Sequence, residues 1–292
     1  MVTRRCSERR FFMRPDAETN NAFLYCLGYA ANRTAVDVLF FMACSNHYHA
    51  GIVDREGRLP EFLECFHKLF AKHQNVKLGR WESFWAPEQT SVVELVEPGD
   101  VLAKATYALS NPVKDNLVAR ADEWPGASSL KFHPAGAAIV ASRPLLYFRP
   151  DGPMPPTVSF TLAPLPGFEH MAQGTFADLL LAEVQKVESG TAARRKENGT
   201  PVLGRAGVLK QRPEDRPKSF EPRRALSPRV ACRNTWRRIE ALTRNKEFQV
   251  AYMAARDLFL AGLDVVFPAG CYWLRRFVGV RCEPGLPELA AA

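Results

Sequence analysis

Val36-Asp37-Val38-Leu39-Phe40-Phe41-Met42-Ala43-Cys44-Ser45-Asn46-His47-Tyr48-His49-Ala50-Gly51-Ile52-Val53 holds two β-branched and aromatic runs on either side of Ser45-Asn46. Turn chemistry between two such runs reads as a β-hairpin, with Val36 to Cys44 as one arm and Tyr48 to Val53 as the other. Residues two apart in a strand share a face. His47 and His49 therefore project together, ~7 Å apart along the backbone, and Tyr48 points the other way, against a helix.

Working outward, Thr3 to Met13 is extended and rich in Arg and Phe. Pro15-Asp16-Ala17-Glu18 opens a helix that runs to about Asn32. Beyond the hairpin, Phe62, Leu63, Phe66, Leu69 and Phe70 recur at helical spacing between Leu59 and Val76. A Gly/Trp connector, Gly79 to Pro87, leads to a strand over Ser91 to Val96. Pro98-Gly99-Asp100 then starts a helix through Ala103, Tyr107 and Leu109 that stops near Asn111-Pro112. This order predicts an α+β sandwich with an antiparallel sheet over residues 1–135.

The rest of the chain differs in character. Residues 136–230 read as an irregular, basic linker region, proline-rich from Pro144 to Pro166, with an amphipathic helix over Thr175 to Glu188. Between Arg194 and Arg238 lie fourteen Lys/Arg and four Asp/Glu, so this stretch alone exceeds the net charge of +8 carried by all 292 residues. Residues 231–292 form a small helical and mixed unit, helical from Trp236 to about Leu260, with short strands between Asp264 and Val280. Phe248, Tyr252 and Leu258 are its expected core.

A basic chain favours a polyanionic partner, although many basic proteins bind none. The seven cysteines are scattered without a CxxC pair, which points away from zinc knuckles and redox motifs and toward buried thiols in a reducing compartment. The basic N-terminus is followed by no apolar signal-peptide run, and no apolar stretch reaches membrane-spanning length. These features predict a cytoplasmic, nucleoid-associated protein with no membrane contact.

Two imidazoles on one strand face can converge on a divalent cation, yet His-x-His is short and also occurs on half-exposed strands with no ligand. Tyr107 and Asn111, four apart, share a helix face and could address one metal–phosphate site. A partly buried tyrosine and a helix-terminal asparagine explain them equally well. His67 and His73 face different directions on their helix, and His133 and His170 sit in loop-like stretches. Arg80, Trp85 and Lys114 are candidate DNA contacts, as are Arg223 and Arg224 in the basic stretch, which either meets phosphates or is a solvated loop. Trp81 and Trp85 read more readily as core or connector packing.

Taken together, the pieces match something specific. Met42-Ala43-Cys44-Ser45-Asn46-His47-Tyr48-His49 followed by Ala50-Gly51-Ile52-Val53 resembles the metal-binding strand of single-tyrosine HUH transposases. Tyr107-Ala108-Leu109-Ser110-Asn111-Pro112-Val113-Lys114 is similar to the nucleophile helix of the REP-associated tyrosine transposases in the IS200-like superfamily. Asn116-Leu117-Val118, Glu123-Trp124-Pro125 and Ser128-Ser129 extend the match. The resemblance covers roughly Thr3 to Phe132. It departs at Ser45, where the family has proline, and at Ala50-Gly51, where it has an aliphatic pair; Gly51 is expected to loosen the strand.

The resemblance implies a ferredoxin-like fold acting on single-stranded or hairpin DNA. His47, His49 and Asn111 would hold Mg²⁺ or Mn²⁺, and Tyr107 would be the nucleophile that forms a 5′-phosphotyrosine. Monomeric and dimeric relatives both exist, so a homodimer is as compatible as a monomer. Two rivals stand beside this reading. One is a domesticated DNA-binding protein without turnover. The other is a small metal-dependent hydrolase, which leaves Tyr107 and the basic stretch without a role.

Overall fold

The structure is a computed structural model describing residues 1–133, 136–219 and 228–284. It is a mixed α/β protein built on a small antiparallel sheet. The chain opens with β1 (Val2–Arg5) and continues into α1 (Ala17–Thr34), where Asp16 caps the helix by accepting from the Thr19 N–H at 2.8 Å. The hairpin follows as β2 (Asp37–Ala43) and β3 (His47–Val53), closed by Cys44 N–H donating to His47 O at 2.8 Å. Then come α2 (Leu59–Lys77), β4 (Ser91–Val92) and β5 (Glu94–Leu95). The single strand expected over Ser91 to Val96 is thus split at Val93: β4 pairs with β1, while β5 turns to a partner from the far end of the chain.

The sheet order is β2-β3-β1-β4, with every pair antiparallel. Alternation along the hairpin divides the molecule into two packed layers. Phe41, Ala43, Tyr48 and Ala50 face α1 and α2. There Phe23 meets Phe66, Phe70 and Tyr48 edge-on, with ring centres 5.3, 5.6 and 5.8 Å apart. Leu39, Phe40, Met42 and Cys44 face the other way and contribute to a second buried cluster. A register shift between Val38 and Phe40 lets Leu39 and Phe40 both serve that cluster. That shift falls beside Gly51, which pairs with Phe40 where the regular register breaks. A Cβ there would lie 2.2 Å from Phe40 Cε1, so the glycine makes room for the Phe40 ring.

On the second face lie α3 (Pro98–Leu109) and the one-turn α4 (Asn111–Lys114), which burrow in with Val101, Ala105, Ala108, Leu109 and Val113. The edge of β2 is not left open. Residues 124–129 and 163 cover it: Ala43 N–H donates to Ala127 O (2.8 Å), Ser129 N–H to Phe41 O (2.9 Å) and Ala163 N–H to Val38 O (2.8 Å). Ser129 Oγ accepts from Phe41 N–H at 3.0 Å, and Trp124 Nε1 donates to Ala43 O at 2.9 Å.

Over the described residues 136–219 the chain forms two strands and two helices where an irregular linker was expected. β6 (Ile139–Ser142) and β7 (Thr157–Phe160) form an antiparallel hairpin on α1. Ile139, Ala141, Val158 and Phe160 alternate into the first core, and the Tyr25 hydroxyl donates to Pro155 O at 2.6 Å. α5 (Gln173–Asn198) runs 26 residues, well beyond the stretch anticipated, and packs Phe176, Leu180 and Val184 against α3 and α4. α6 (Gly204–Lys210) follows, with Val208 fully buried.

β8 (Val230–Ala231) adds in parallel to β5. α7 (Thr235–Leu260) buries only Ala241 and Ala255 among its described residues. β9 (Val266–Phe267), α8 (Tyr272–Phe277) and β10 (Arg281–Cys282) follow among the described residues. The small C-terminal core centres on Ala255, Phe267, Cys271 and Val280, with Tyr252 against it. Phe248 and Leu258, expected there, are exposed. No described helix is long and apolar enough to cross a membrane.

Candidate active site

β3 places His47 and His49 on the face opposite Tyr48, with ring centres 4.9 Å apart and planes at 80°. A second partner orients each ring. His47 Nδ1 lies 2.7 Å from Asn46 Oδ1. An amide oxygen only accepts, so Nδ1 carries the proton and Nε2 the lone pair. His49 Nδ1 lies 2.7 Å from Thr3 Oγ1, a contact made by the Thr3–His49 pairing of β1 with β3. His49 Nε2 is buried with no hydrogen-bond partner. A buried imidazole nitrogen left unpaired is costly unless something arrives to use its lone pair.

Both imidazoles are neutral near pH 7. Burial pulls His47 down to about 4, helped by the charges of Arg5 and Arg9. Burial, then His47, Lys114 and Lys104, push His49 well below its ordinary value. Neutral imidazole is the form that binds a metal.

The strand is held from behind by a buried trio. Arg4 donates to His67 Nδ1 at 2.6 Å, which leaves His67 Nε2–H to donate to the Tyr48 hydroxyl at 2.6 Å. Nothing in the sequence around Thr3 or His67 marks them as supports of the histidine strand. Asn46, adjoining the His-x-His, is the one such contact that spacing could have shown. Thr3 and His67 emerge only once register and helix packing are known.

The last turn of α3 brings Tyr107 to the histidines, its ring centre 5.7 Å from that of His49 at 73°. Tyr107 is 44% exposed. The helix does not stop at Asn111: it breaks at Ser110, whose hydroxyl donates to Thr106 O at 2.6 Å, and resumes as α4. Asn111 stays one turn past Tyr107. It is buried, and its Oδ1 accepts from the Cys44 thiol at 3.4 Å. Burial holds that thiol protonated. A thiol is a weak donor, so the amide oxygen keeps capacity for a stronger partner.

His47, His49, Tyr107, Asn111 and Lys114 all line one cleft of about 1320 Å³. Lys114 places its ammonium 3.2 Å from the Tyr107 ring centre, and Lys104 lies at 5.5 Å. Desolvation lowers Lys114 to about 8. The other candidate DNA contacts fare differently. Trp85 is 5% exposed, donates Nε1–H to His67 O at 3.1 Å and stacks into Phe84 and His67. A ring enclosed in the core cannot meet a base, so Trp85 is a core residue. Trp81, by contrast, is 87% exposed. Arg80 lies over the Phe12 ring at 4.1 Å and does not line the cleft. Arg223 and Arg224 fall outside the described residues.

Two imidazole nitrogens and an amide oxygen suit a borderline divalent ion such as Mn²⁺ better than Mg²⁺, which prefers oxygen. The orphaned His49 Nε2 fits such an ion. A separate trio, Glu97, Asp100 and Cys232, brings three potential ligand atoms within 4.8 Å of one another. Asp100 already accepts from Glu97 N–H (3.2 Å) and Arg233 N–H (2.9 Å), which makes this trio the cap of α3. Comparison with known proteins adds no relative: no family model, curated protein or solved structure matches the chain significantly.

Proposed function

We propose that this chain is a metal-dependent, single-tyrosine DNA strand-transfer enzyme of the HUH transposase type, acting on single-stranded or hairpin DNA. The observation that carries the reading is the meeting of Tyr107 with His49, whose Nε2 is buried, oriented and unpartnered. The path β1-α1-β2-β3-α2-β4 with sheet order β2-β3-β1-β4 is the split βαβ arrangement, which supports a ferredoxin-like catalytic unit.

His47, His49 and Asn111 would hold Mn²⁺ or Mg²⁺. When bound, that ion supplies a Lewis acid that polarises and positions the scissile phosphate. Tyr107 Oη gives up its proton and attacks phosphorus, the bond from phosphorus to the 3′-oxygen breaks, and the electron pair leaves on that oxygen, which takes up a proton in balance. The product is a 5′-phosphotyrosine and a free 3′-hydroxyl. A second 3′-hydroxyl reverses the step, since the phosphotyrosine keeps the energy of the broken bond. Lys114, over the tyrosine ring, holds that ring in place and favours the negative charge that Tyr107 Oη acquires as its proton leaves. A DNA-binding protein without turnover would leave the orphaned nitrogen and the Tyr107–His49 meeting without a purpose.

The test incubates the full chain with Mn²⁺ and labelled single-stranded DNA carrying a hairpin, then looks for an adduct that survives denaturation. Wild type forms it and Tyr107→Phe does not. An adduct on Tyr107→Phe assigns the nucleophile elsewhere, and no adduct from wild type on any hairpin favours the binding protein.

A further inference from the structure

The basic stretch is fastened to the catalytic unit along residues 203–219. Leu203 and Gly204 N–H donate to the carbonyls of Asn116 and Leu117, each at 3.0 Å, at the turn after α4. Arg14 reaches Leu209 O at 3.3 Å, and Ser45 Oγ donates to Gln211 Oε1 at 3.3 Å. Phe11 N–H donates to Asp215 O at 2.9 Å, and the Arg9 guanidinium to Ser219 O at 2.9 Å.

These ties make residues 211 and 215–219 part of the lining of the cleft that holds His47, His49 and Tyr107. Arg216 and Lys218 are exposed into that cleft, and among the described residues neither forms an ion pair with a carboxylate. Seven Lys/Arg against three Asp/Glu line the cleft, Arg216 also acts on the Glu8 carboxylate, and the excess of positive charge favours entry of an anion. Phe11, partly exposed, lines the same cleft. An aromatic ring in a basic groove suits single strands, because every base offers a face to stack on while cations follow the phosphates.

We infer that residues 211–219 are a clamp for single-stranded DNA, with Arg216 and Lys218 on the phosphates that flank the scissile one and Phe11 under a base. This rests on reading the Tyr107 site as DNA-cleaving. The clamp binds backbone, so it fixes where the strand lies and leaves sequence choice to other contacts.

The experiment measures binding of a labelled single-stranded oligonucleotide by fluorescence anisotropy across a salt series. The full chain carries Tyr107→Phe so that the strand stays intact. Adding Arg216→Gln with Lys218→Gln should weaken binding and flatten the slope of log K against log salt by about 1.4, roughly 0.7 for each phosphate no longer neutralised. Phe11→Ala should weaken binding at least about fivefold with the slope unchanged. Lys210→Gln with Arg212→Gln removes the same charge from the same segment outside the cleft and should leave the slope as it was. Equal thermal midpoints confirm that each variant folds. If the Arg216/Lys218 variant keeps the full slope while DNA still binds, the clamp is wrong and the proposed function stands. Equal flattening in the two double variants, or equal affinity for duplex, also overturns the clamp. Failure of the parent chain to bind any single strand removes both.

Discussion

His49 shows how much one residue depends on its neighbours. The hydroxyl of Thr3, one strand away, engages His49 Nδ1 at 2.7 Å and so holds the ring with Nε2 turned away from it. Thr3→Val keeps the shape and removes that partner. It should weaken Mn²⁺ binding about 10- to 100-fold, read by isothermal titration or the Mn²⁺ EPR signal, with little change in the thermal midpoint. Unchanged affinity would mean the orientation comes from elsewhere. His47 and His49 were legible as a pair because strand periodicity alone puts them on one face. Thr3 was not, since nothing local to it encodes its register against β3. Trp85 was misplaced among the DNA contacts because a connector tryptophan looks the same in sequence whether it turns inward or outward.

At the scale of elements, the edge of β2 depends on residues 124–129. Ser129→Ala leaves the buried Phe41 N–H without an acceptor, at a cost of about 1–3 kcal/mol in chemical denaturation. Gly51→Ala sets a Cβ against the Phe40 ring and should cost about 1–3 kcal/mol, partly recovered by Phe40→Leu. No such recovery would put the penalty in the backbone instead. The helices α1, α2 and α3 and the β2–β3 hairpin were legible within a residue or two, because their apolar repeats are long and their turn residues plain. The β6–β7 hairpin was not: its four-residue strands lie among prolines, and their alternation acquires meaning only from α1 beneath them. α5 outran its expected end because its last turns are polar and exposed, and helical there without an apolar stripe.

At the scale of the whole molecule, the segment after residue 135 belongs to the same packing as the segment before it. Both the Phe160 side of the first core and the Leu180 side of the second come from it. A fragment ending at 135 therefore exposes both cores and is expected to lack a cooperative thermal transition in circular dichroism; a sharp transition would show that residues 1–135 fold alone. Acid should loosen the intact chain as well. Desolvation brings His47 and His133 down to about 4 and holds His49 and His67 well below the ordinary histidine value. Below pH ~6.5 the unfolded chain takes up protons at these histidines and the folded chain does not. Stability is then lost steadily from pH ~6.5 toward 4, each histidine steepening the fall by at most about 1.4 kcal/mol per pH unit. A midpoint that stays flat over that window would contradict the burial of these rings.

The helix bearing Tyr107 is tied down at its start by Arg233, whose N–H caps Asp100, and just beyond its end by Leu203 and Gly204. Both fasteners leave the ribosome long after the tyrosine does. A nascent chain arrested shortly before residue 200 thus displays every histidine of the site, the asparagine and the tyrosine, while the helix that carries the hydroxyl remains unfastened. Protease should cut such stalled chains within residues 98–109 and spare that segment once Arg233 has emerged. On the proposed function, synthesis order would then keep unfinished copies from acting before the tyrosine is aimed.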